Sequence, residues 1–541
     1  MDDLKARIEA LTSLDEAEKL FPPRNMPPEA EIVRIAPSPT GMPHIGTAMQ
    51  AVIDRALADK NKGVFILRIE DTDKARSVPG AEEALFEALQ WLGTPPDEAS
   101  FGVGGAYGPY TQSDRLPLFV LAANHLLDKG HAYHCFCTAE RLEKLREDQA
   151  KAKMMPKYDQ LCSKLTAEEV SERHAKGEKS VVRMRMPSDG TKIIFRDEVR
   201  GEIEFDSKVL DDTVLLKSDK FPTYHLAAVV DDHFMRVTTV VRGEEWISST
   251  PKHVLLYKAF GWEVPKFLHT VLLRDEQRRK LSKRSGDTSI TAFRVNGYTP
   301  EGFRNFLTRV MWAHPDNKDV YDLAEFARLL SPTALPSSGP IADMKLLGFI
   351  NGQYLASYSP AEFREKFLAY LTYLISVDRV PEFAEGDTTR PLSIDIVKVL
   401  KAEIERDTAY ADHVFALEPE RHQKFADVFT NCGFLFEATA TPAAAERLAK
   451  YCPDAALASN ILAAVMETCL DKTESDAWDQ AMRKVAADHG VKDKVVFMLT
   501  RVAVTGAEKT PPLLEIIHIL GLDRLRARVT AVIRQYSTAA A

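Results

Sequence analysis

The sequence is predicted to fold as an α/β protein: a parallel-sheet domain interrupted by an α+β insertion and followed by an all-α region. Three observations predict this. Residues 31–73 read as strand, Gly/Pro turn, helix and strand. Between about 120 and 225 the texture changes to charged helices, short strands and a cysteine cluster. From about residue 295 onward the patterning is almost wholly helical, without an obvious internal repeat.

Taken in order, residues 1–20 space Leu4, Ile8, Leu11 and Leu14 as a short amphipathic helix would. FPPRNMPPEAE then reads as a proline-stiffened linker, and no function is legible before residue 30. EIVRIAP is a short strand, SPTGMPHIGT a turn, Thr47 to about Lys60 a helix, and GVFILRIED an apolar strand ending in acids. Ligands of such sheets bind beyond the carboxyl ends of the strands, where the turn and Glu70-Asp71-Thr72-Asp73 should meet. In the insertion SVVRMRM and EIEFDSKV read as strands, and strand-like runs resume at TYHLAAVVDDH and VTTVVRGEEW. Asp231-Asp232-His233 looks metal-like in isolation, but a structural role at the end of a strand is the simpler reading. Proline interruptions divide the helical part into two subdomains.

A chain of 541 residues has material for several cores. Its 45% hydrophobic and 28% charged residues are those of a soluble globular protein, and no apolar stretch approaches the roughly 20 residues that span a bilayer. The N-terminus resembles neither a signal peptide nor a transit peptide. Six cysteines, three of them clustered, fit a reducing cytoplasm and a metal site better than a disulfide scaffold. A net charge of −9 argues against a protein coated in nucleic acid, although an acidic multidomain chain can still carry a basic face.

Three motifs carry chemistry. In PSPTGMPHIGT, residues 37–47, His44 stands two before Gly46 at a helix start, joining an imidazole to backbone N–H groups that suit phosphate. In RRKLSKRSG, residues 278–286, Lys280 and Lys283 crowd a loop with three arginines, a charge density suited to a transferring phosphate. Taken singly, the first is a plain turn and the second a solvated loop. Cys135, Cys137 and Cys162, with Tyr158 four before the last, offer three soft ligands and a fourth, as tetrahedral zinc requires; buried free thiols are the alternative. Glu70-Asp71-Thr72-Asp73 could recruit Mg²⁺, which a nucleotide also brings on its own phosphates.

Together, PxxxGxPHIGT and the later KLSKR of residues 280–284 resemble the double signature of class I aminoacyl-tRNA synthetases. RIAPSPTGMPHIGTA, FILRIEDTDKAR, PTYHLAAVVDDH, VVRGEEWISSTPKHVLLYKAFGW and KLSKR resemble the bacterial-type glutamyl-tRNA synthetases in particular. The resemblance is dense from about residue 31 to 290, thins through FINGQYL, and returns near VFMLTRVAVTG and LLEIIHILG. Residues 1–29 precede the point where such chains normally begin. PxPNGxLHIGH, expected of a glutaminyl enzyme, is not found.

The resemblance implies a Rossmann-type catalytic domain in two halves, 30–120 and 226–290, around an acceptor-binding insertion at 121–225. A helical stem-contact region at 291–360 and an all-α anticodon-binding region at 361–541 would follow, with 1–29 as a helical extension. It implies ATP-dependent conversion of L-glutamate to glutamyl-adenylate, then transfer to the 3′-terminal adenosine of tRNA(Glu). His44, Lys280 and Lys283 would be catalytic. Arg34 would take the glutamate side-chain carboxylate with help from Tyr224, Arg242 the α-carboxylate and Glu70 the ammonium, with Ser38 lining the site. ATP would meet His44, Gly46, Glu245, Trp246 and Lys283. ATP as substrate, Mg²⁺, and a structural Zn²⁺ on Cys135, Cys137, Tyr158 and Cys162 complete the set. The expected partners are tRNA(Glu) and L-glutamate, with tRNA(Gln) left open as a second acceptor, for a cytoplasmic monomer without a membrane. A relaxed or tRNA(Gln)-directed enzyme and a non-catalytic tRNA-binding paralogue are the alternatives. The basic loop at 274–284 and Arg524, Arg526 and Arg528 are candidate tRNA contacts, although helix-face arginines are usually only solvated.

Overall fold

The computed structural model describes residues 2–73, 76–100, 102–279, 281, 288–383, 392–436 and 444–539. Lys280 and Lys283 lie outside the described residues. The chain forms two compact units, residues 1–291 with 304–343, and 292–303 with 344–541.

The first unit opens with two short helices, α1 (Asp2–Glu9) and α2 (Leu14–Leu20), the latter started by the Ser13 hydroxyl accepting from Glu16 N–H. Strand β1 (Ile32–Ile35) is buried throughout, as IVRI in the middle of a sheet should be. It pairs in parallel with β2 (Val64–Leu67), Ile32 opposite Val64 and Ile35 opposite Leu67. Between them α3 (Ile45–Lys60) is the crossover, burying Ala48, Val52, Ala56 and Leu57. Helices α4 (Ala81–Trp91) and α5 (Leu116–Asp128) follow.

Next comes an antiparallel sheet of β3 (Ala132–Cys135), β4 (Val181–Met184) and β7 (Val214–Leu216), in the order β3-β4-β7. The β3–β4 connection carries α6 (Ala139–Lys151) and α7 (Ala167–Ala175). The hairpin of β5 (Lys192–Asp197) and β6 (Gly201–Asp206) leaves this sheet. It joins the parallel strands β8 (Thr239–Gly243) and β9 (Lys266–Thr270) in the order β6-β5-β9-β8. At the start of β8, Thr238 N–H donates to Ile32 O at 2.9 Å, bringing β8 alongside β1.

TYHLAAVVDDH, expected as a strand, is instead helix α8 (Tyr224–Phe234), followed after β8 by α9 (Thr250–Phe260). Its residues 226–232 are all buried, so no polar face reveals a 3.6-residue period, and the apolar run mimics a buried strand. Asp231 and Asp232 therefore sit in the last turn of a helix.

The second unit is helical. Its core gathers Phe363, Phe367, Leu371 and Leu374 from Pro360–Val377 with Val397 and Leu400 from Ile394–Arg406. Arg528, read from sequence as a candidate tRNA contact, is buried. It donates to Val504 O at 3.0 Å and Phe434 O at 2.7 Å, and so closes backbone ends rather than facing a phosphate. Among the described residues no helix is long and apolar enough to cross a membrane.

Candidate active site

The carboxyl ends of β1, β2 and β8 converge with α8 on a buried charge network. Arg34 of β1 donates from Nε and Nη2 to the two carboxylate oxygens of Asp232 at 2.9 and 3.3 Å, and from Nη1 to Val241 O at 3.0 Å. Arg68 donates to Asp232 Oδ1 at 2.6 Å and to Glu70 Oε1 at 3.2 Å. One turn position earlier, Asp231 takes Arg115 Nε at 2.6 Å and Gln112 Nε2 at 3.0 Å. Burial would raise the Asp232 carboxyl, but Arg34 and Arg68 outweigh it and hold the group below the ordinary carboxylate range. For Glu70 burial wins over Arg68 and Arg34, and its pKa is raised. Gln50 of α3 fixes the strand side of the network, donating to Val241 O at 2.9 Å. Asp54, one turn on, is pushed by burial up to about 8.

Arg242, at the end of β8, is equally buried but differently partnered. Its guanidinium donates to Thr250 Oγ1 at 2.7 Å, Tyr224 OH at 3.0 Å and His269 Nε2 at 3.1 Å, and its Nη1 lies 3.1 Å from His253 Nδ1. All four are uncharged groups: burial lowers the pKa of His269 against the pull of Asp197, and lowers that of His253 well below its ordinary value. Among the described residues no carboxylate lies within 4.0 Å of this guanidinium. Asp197, 2.7 Å from His269 Nδ1, fixes the tautomer that leaves Nε2 as acceptor. The Tyr224 ring lies 4.2 Å from that of Trp246. Its phenol is raised chiefly by burial, and Arg242, Glu70 and Arg34 all act on it, which locates their charges around one point.

The PHIGT turn leads into α3. Here His44 is the N-cap, its Nδ1 accepting from Gly46 N–H at 3.0 Å and Thr47 N–H at 3.4 Å. The imidazole thus satisfies the N–H groups expected to be open, and its own donor is Nε2–H. The same turn clasps the distal stem of the basic loop: Ile45 N–H donates to Thr288 O at 3.0 Å and Ile290 N–H to Pro43 O at 2.9 Å. The proximal stem is braced by Arg274 N–H on Pro340 O at 2.9 Å and Leu281 N–H on Leu273 O at 3.0 Å.

The cysteine motif is assembled by β3 and the segment before α7. The sulfurs of Cys135, Cys137 and Cys162 lie within 4.8 Å of one another. Tyr158 OH is 3.4 Å from Cys135 Sγ and 3.3 Å from Cys137 Sγ, and accepts from Cys162 N–H at 3.1 Å. Asp211 receives Tyr158 N–H at 2.8 Å, and Asp212 receives Tyr133 OH at 2.6 Å, so two acids hold the motif's halves together.

Residues 32–349 match the family model described as tRNA synthetases class I (E and Q), catalytic domain, and residues 379–533 match an anticodon binding domain. The glutamate–tRNA ligase of Gloeobacter violaceus is 51% identical over 521 residues, covering 96% of this chain and 98% of that relative. The chain belongs to the bacterial glutamyl-tRNA synthetases of class I. A glutamate–tRNA ligase of Thermus thermophilus is 39% identical over 92% of the chain and 98% of its own length. A crystal structure of the glutamate tRNA ligase from Elizabethkingia meningosepticum, in complex with its amino acid, superposes with a TM-score of 0.74. It shares 29% sequence identity and covers 94% of this chain and 99% of that one.

In this synthetase, Arg34, Glu70, Tyr224 and Arg242 are brought together, and Trp246 packs on Tyr224. Ser38, His44 and Glu245 are exposed at the strand ends, the Glu245 carboxylate folded over Gly243. Sequence reasoning missed the groups that hold the arginines. Asp232 was signalled by its acidic pair, whereas Thr250, His253 and His269 are single residues on separate elements with no local pattern. Gly46 has a steric reason to be glycine: a Cβ there would stand 2.8 Å from His44 Cε1. Gly46→Ala is therefore expected to swing the imidazole away and lower kcat by about 10- to 100-fold, within the range of losing one placed donor, with little change in KM for glutamate. Steady-state aminoacylation kinetics check this.

Proposed function

We propose that the enzyme activates L-glutamate with ATP and transfers it to the terminal adenosine of tRNA(Glu). A carboxylate oxygen of glutamate attacks the α-phosphorus of ATP and the bond to pyrophosphate breaks. A ribose hydroxyl of the tRNA end then attacks the resulting mixed anhydride, and AMP leaves with the bonding electron pair. The substrate supplies the nucleophile, so the protein's work is positioning and charge stabilisation.

The observation that carries this reading is the Arg242 guanidinium, buried at 4% exposure among neutral groups and bonded to Tyr224, on whose phenol Arg34 and Glu70 also act. A buried cation held by neutral acceptors is a seat for an anion. Arg242 would take the α-carboxylate, and Glu70 the ammonium. Arg34 uses three of its five N–H groups on Asp232 and Val241, and the others would meet the side-chain carboxylate. Glutamine would set a neutral amide, with its own N–H donors, against those remaining N–H groups, losing the charge-assisted bonds of the carboxylate at a cost of about 1.5–3 kcal/mol. Ser38 would line this pocket.

Across it, His44 Nε2–H at the start of α3 would donate to the phosphates near Gly46, with Glu245 and Trp246 towards the adenosine. The clasp at Thr288–Ile290 supports a role for Lys280 and Lys283 on the opposite side of those phosphates. Mg²⁺ would enter on ATP.

The cysteine motif fits zinc. Tetrahedral zinc with bonds of ~2.3 Å separates its sulfurs by ~3.8 Å, and Cys137 and Cys162 are 3.5 Å apart here. Cys135, Cys137, Cys162 and Tyr158 would hold it as a structural cross-link of β3 to the 158–162 segment, since no reacting group stands beside it. The expected result is one zinc per chain by elemental analysis. Cys162→Ser should lose the metal and lower the melting temperature by several degrees, with pyrophosphate exchange reduced less than tRNA charging.

Charging with labelled glutamate, ATP and Mg²⁺ on separate tRNA(Glu) and tRNA(Gln) transcripts tests the function. Transfer to tRNA(Glu) alone is expected. Transfer to both transcripts would mark a relaxed acceptor choice, and binding without transfer to either would overturn the reading.

A further inference from the structure

Within residues 1–29, to which the sequence assigns no role, the segment 8–24 docks on the helix end that holds the arginine network. Ile8, Ala17 and Phe21 are fully buried in the core of the first unit. Glu18 receives His233 Nε2 and Arg236 Nη2, each at 2.6 Å. Phe21 packs between Phe234 and Tyr107, tilted against the first and stacked on the second, with ring centroids at 5.9 and 6.4 Å, and its ring lies 5.2 Å from the Arg115 guanidinium. Its carbonyl accepts from Arg236 Nε at 3.0 Å. Arg24 forks onto Glu98 at 2.7 and 2.8 Å and caps α8 by donating to Met235 O at 3.2 and 3.1 Å.

These contacts fall on residues 233–236, directly after Asp232, and on Arg115, the partner of Asp231. The end of α8 cannot shift without moving both acids, and Asp232 is what aims Arg34. We propose that Glu18, Phe21 and Arg24 form a lock that positions Arg34 through Asp232 and so sharpens the affinity for the glutamate side chain. The lock rests on the reading of Arg34 as the group facing that carboxylate. Glu18, Phe21 and Arg24 touch no reacting atom; they are positioning residues. Core residues packed by ordinary hydrophobic burial would affect stability alone, whereas three directional ties on one helix end set an orientation.

The test uses the full chain. Arg24→Met keeps the apolar stem and removes both the fork and the guanidinium over the Tyr107 ring; Glu18→Gln keeps the size and takes the anion from Arg236, and carries the test if Arg24→Met does not fold. Each variant is expected to raise KM for glutamate 5- to 10-fold at constant active-site concentration. KM for ATP and kcat should stay within twofold, and Arg24→Lys should recover part of the loss. A lower melting temperature with unchanged KM for glutamate, or equal changes for glutamate and ATP, overturns the lock. Failure of the unaltered enzyme to charge glutamate would instead overturn the function on which it rests.

Discussion

Arg242→Ala is expected to lower kcat/KM for glutamate by about a thousandfold. Removing one member of a buried charge pair costs ~3–5 kcal/mol, and each 1.36 kcal/mol is a factor of ten in rate. The magnitude is set by what surrounds the guanidinium. His253, His269, Thr250 and Tyr224 are arranged to receive its N–H groups, and none can neutralise the substrate carboxylate in its place. Water could enter the vacated volume, but it offers no fixed charge. Arg242→Lys retains the charge and loses the fork, so an intermediate loss of about 100-fold is expected. Pyrophosphate exchange in the presence of tRNA, with glutamate varied, measures both. A loss smaller than tenfold for the alanine variant would remove Arg242 from the binding role given to it.

Asp232→Ala should be the most destabilising single change in the network. It strips the carboxylate from Arg34 and Arg68 together, leaving two buried guanidinium groups short of a partner. A cost of ~3–5 kcal/mol in the urea unfolding of the first unit is expected, with glutamate charging lost at the same time. The acid profile follows from the sign of the shift. The folded-state pKa of Asp232 is depressed below its ordinary 3.8, so its contribution is complete above that value and is lost as pH falls through the folded value. Asp232→Asn should accordingly show a flatter loss of stability below about pH 4 than the unaltered chain. A profile identical to that of the unaltered chain would mean that this ion pair does not govern acid sensitivity.

Much of the site was legible because its chemistry is written in short runs. PHIGT, RIED and VVRGEEW each end a strand or begin a helix, so local spacing sufficed to put His44 at the start of α3, Glu70 after β2 and Arg242 near the end of β8. What was hidden lies in the partners. Arg34 and Asp232 are 198 positions apart, and no local pattern pairs them. The strand reading of TYHLAAVVDDH failed because a helix buried on all sides has no polar face from which to read a period. Arg528 failed in the opposite way: charge implied exposure, while the fold used the side chain to close backbone carbonyls of three other residues. Phe21 and Arg24 looked like linker because their partners, Phe234 and Met235, come from much later in the chain.

That separation has a consequence for synthesis. Arg34 leaves the ribosome about 200 residues before Asp232 and Val241, and the Thr288 carbonyl that holds the PHIGT turn follows later still. At 5–20 residues per second, translation leaves this arginine without its carboxylate, and β1 without β8 alongside it, for roughly 10–40 s. Slowing the ribosome between codons 60 and 230 would lengthen the wait of Arg34 for its carboxylate, and slowing it once Asp232 and Val241 have emerged would not. The vulnerability of the nascent chain is thus concentrated in one early window, governed by codon pace and chaperone supply rather than by the stability of the finished enzyme.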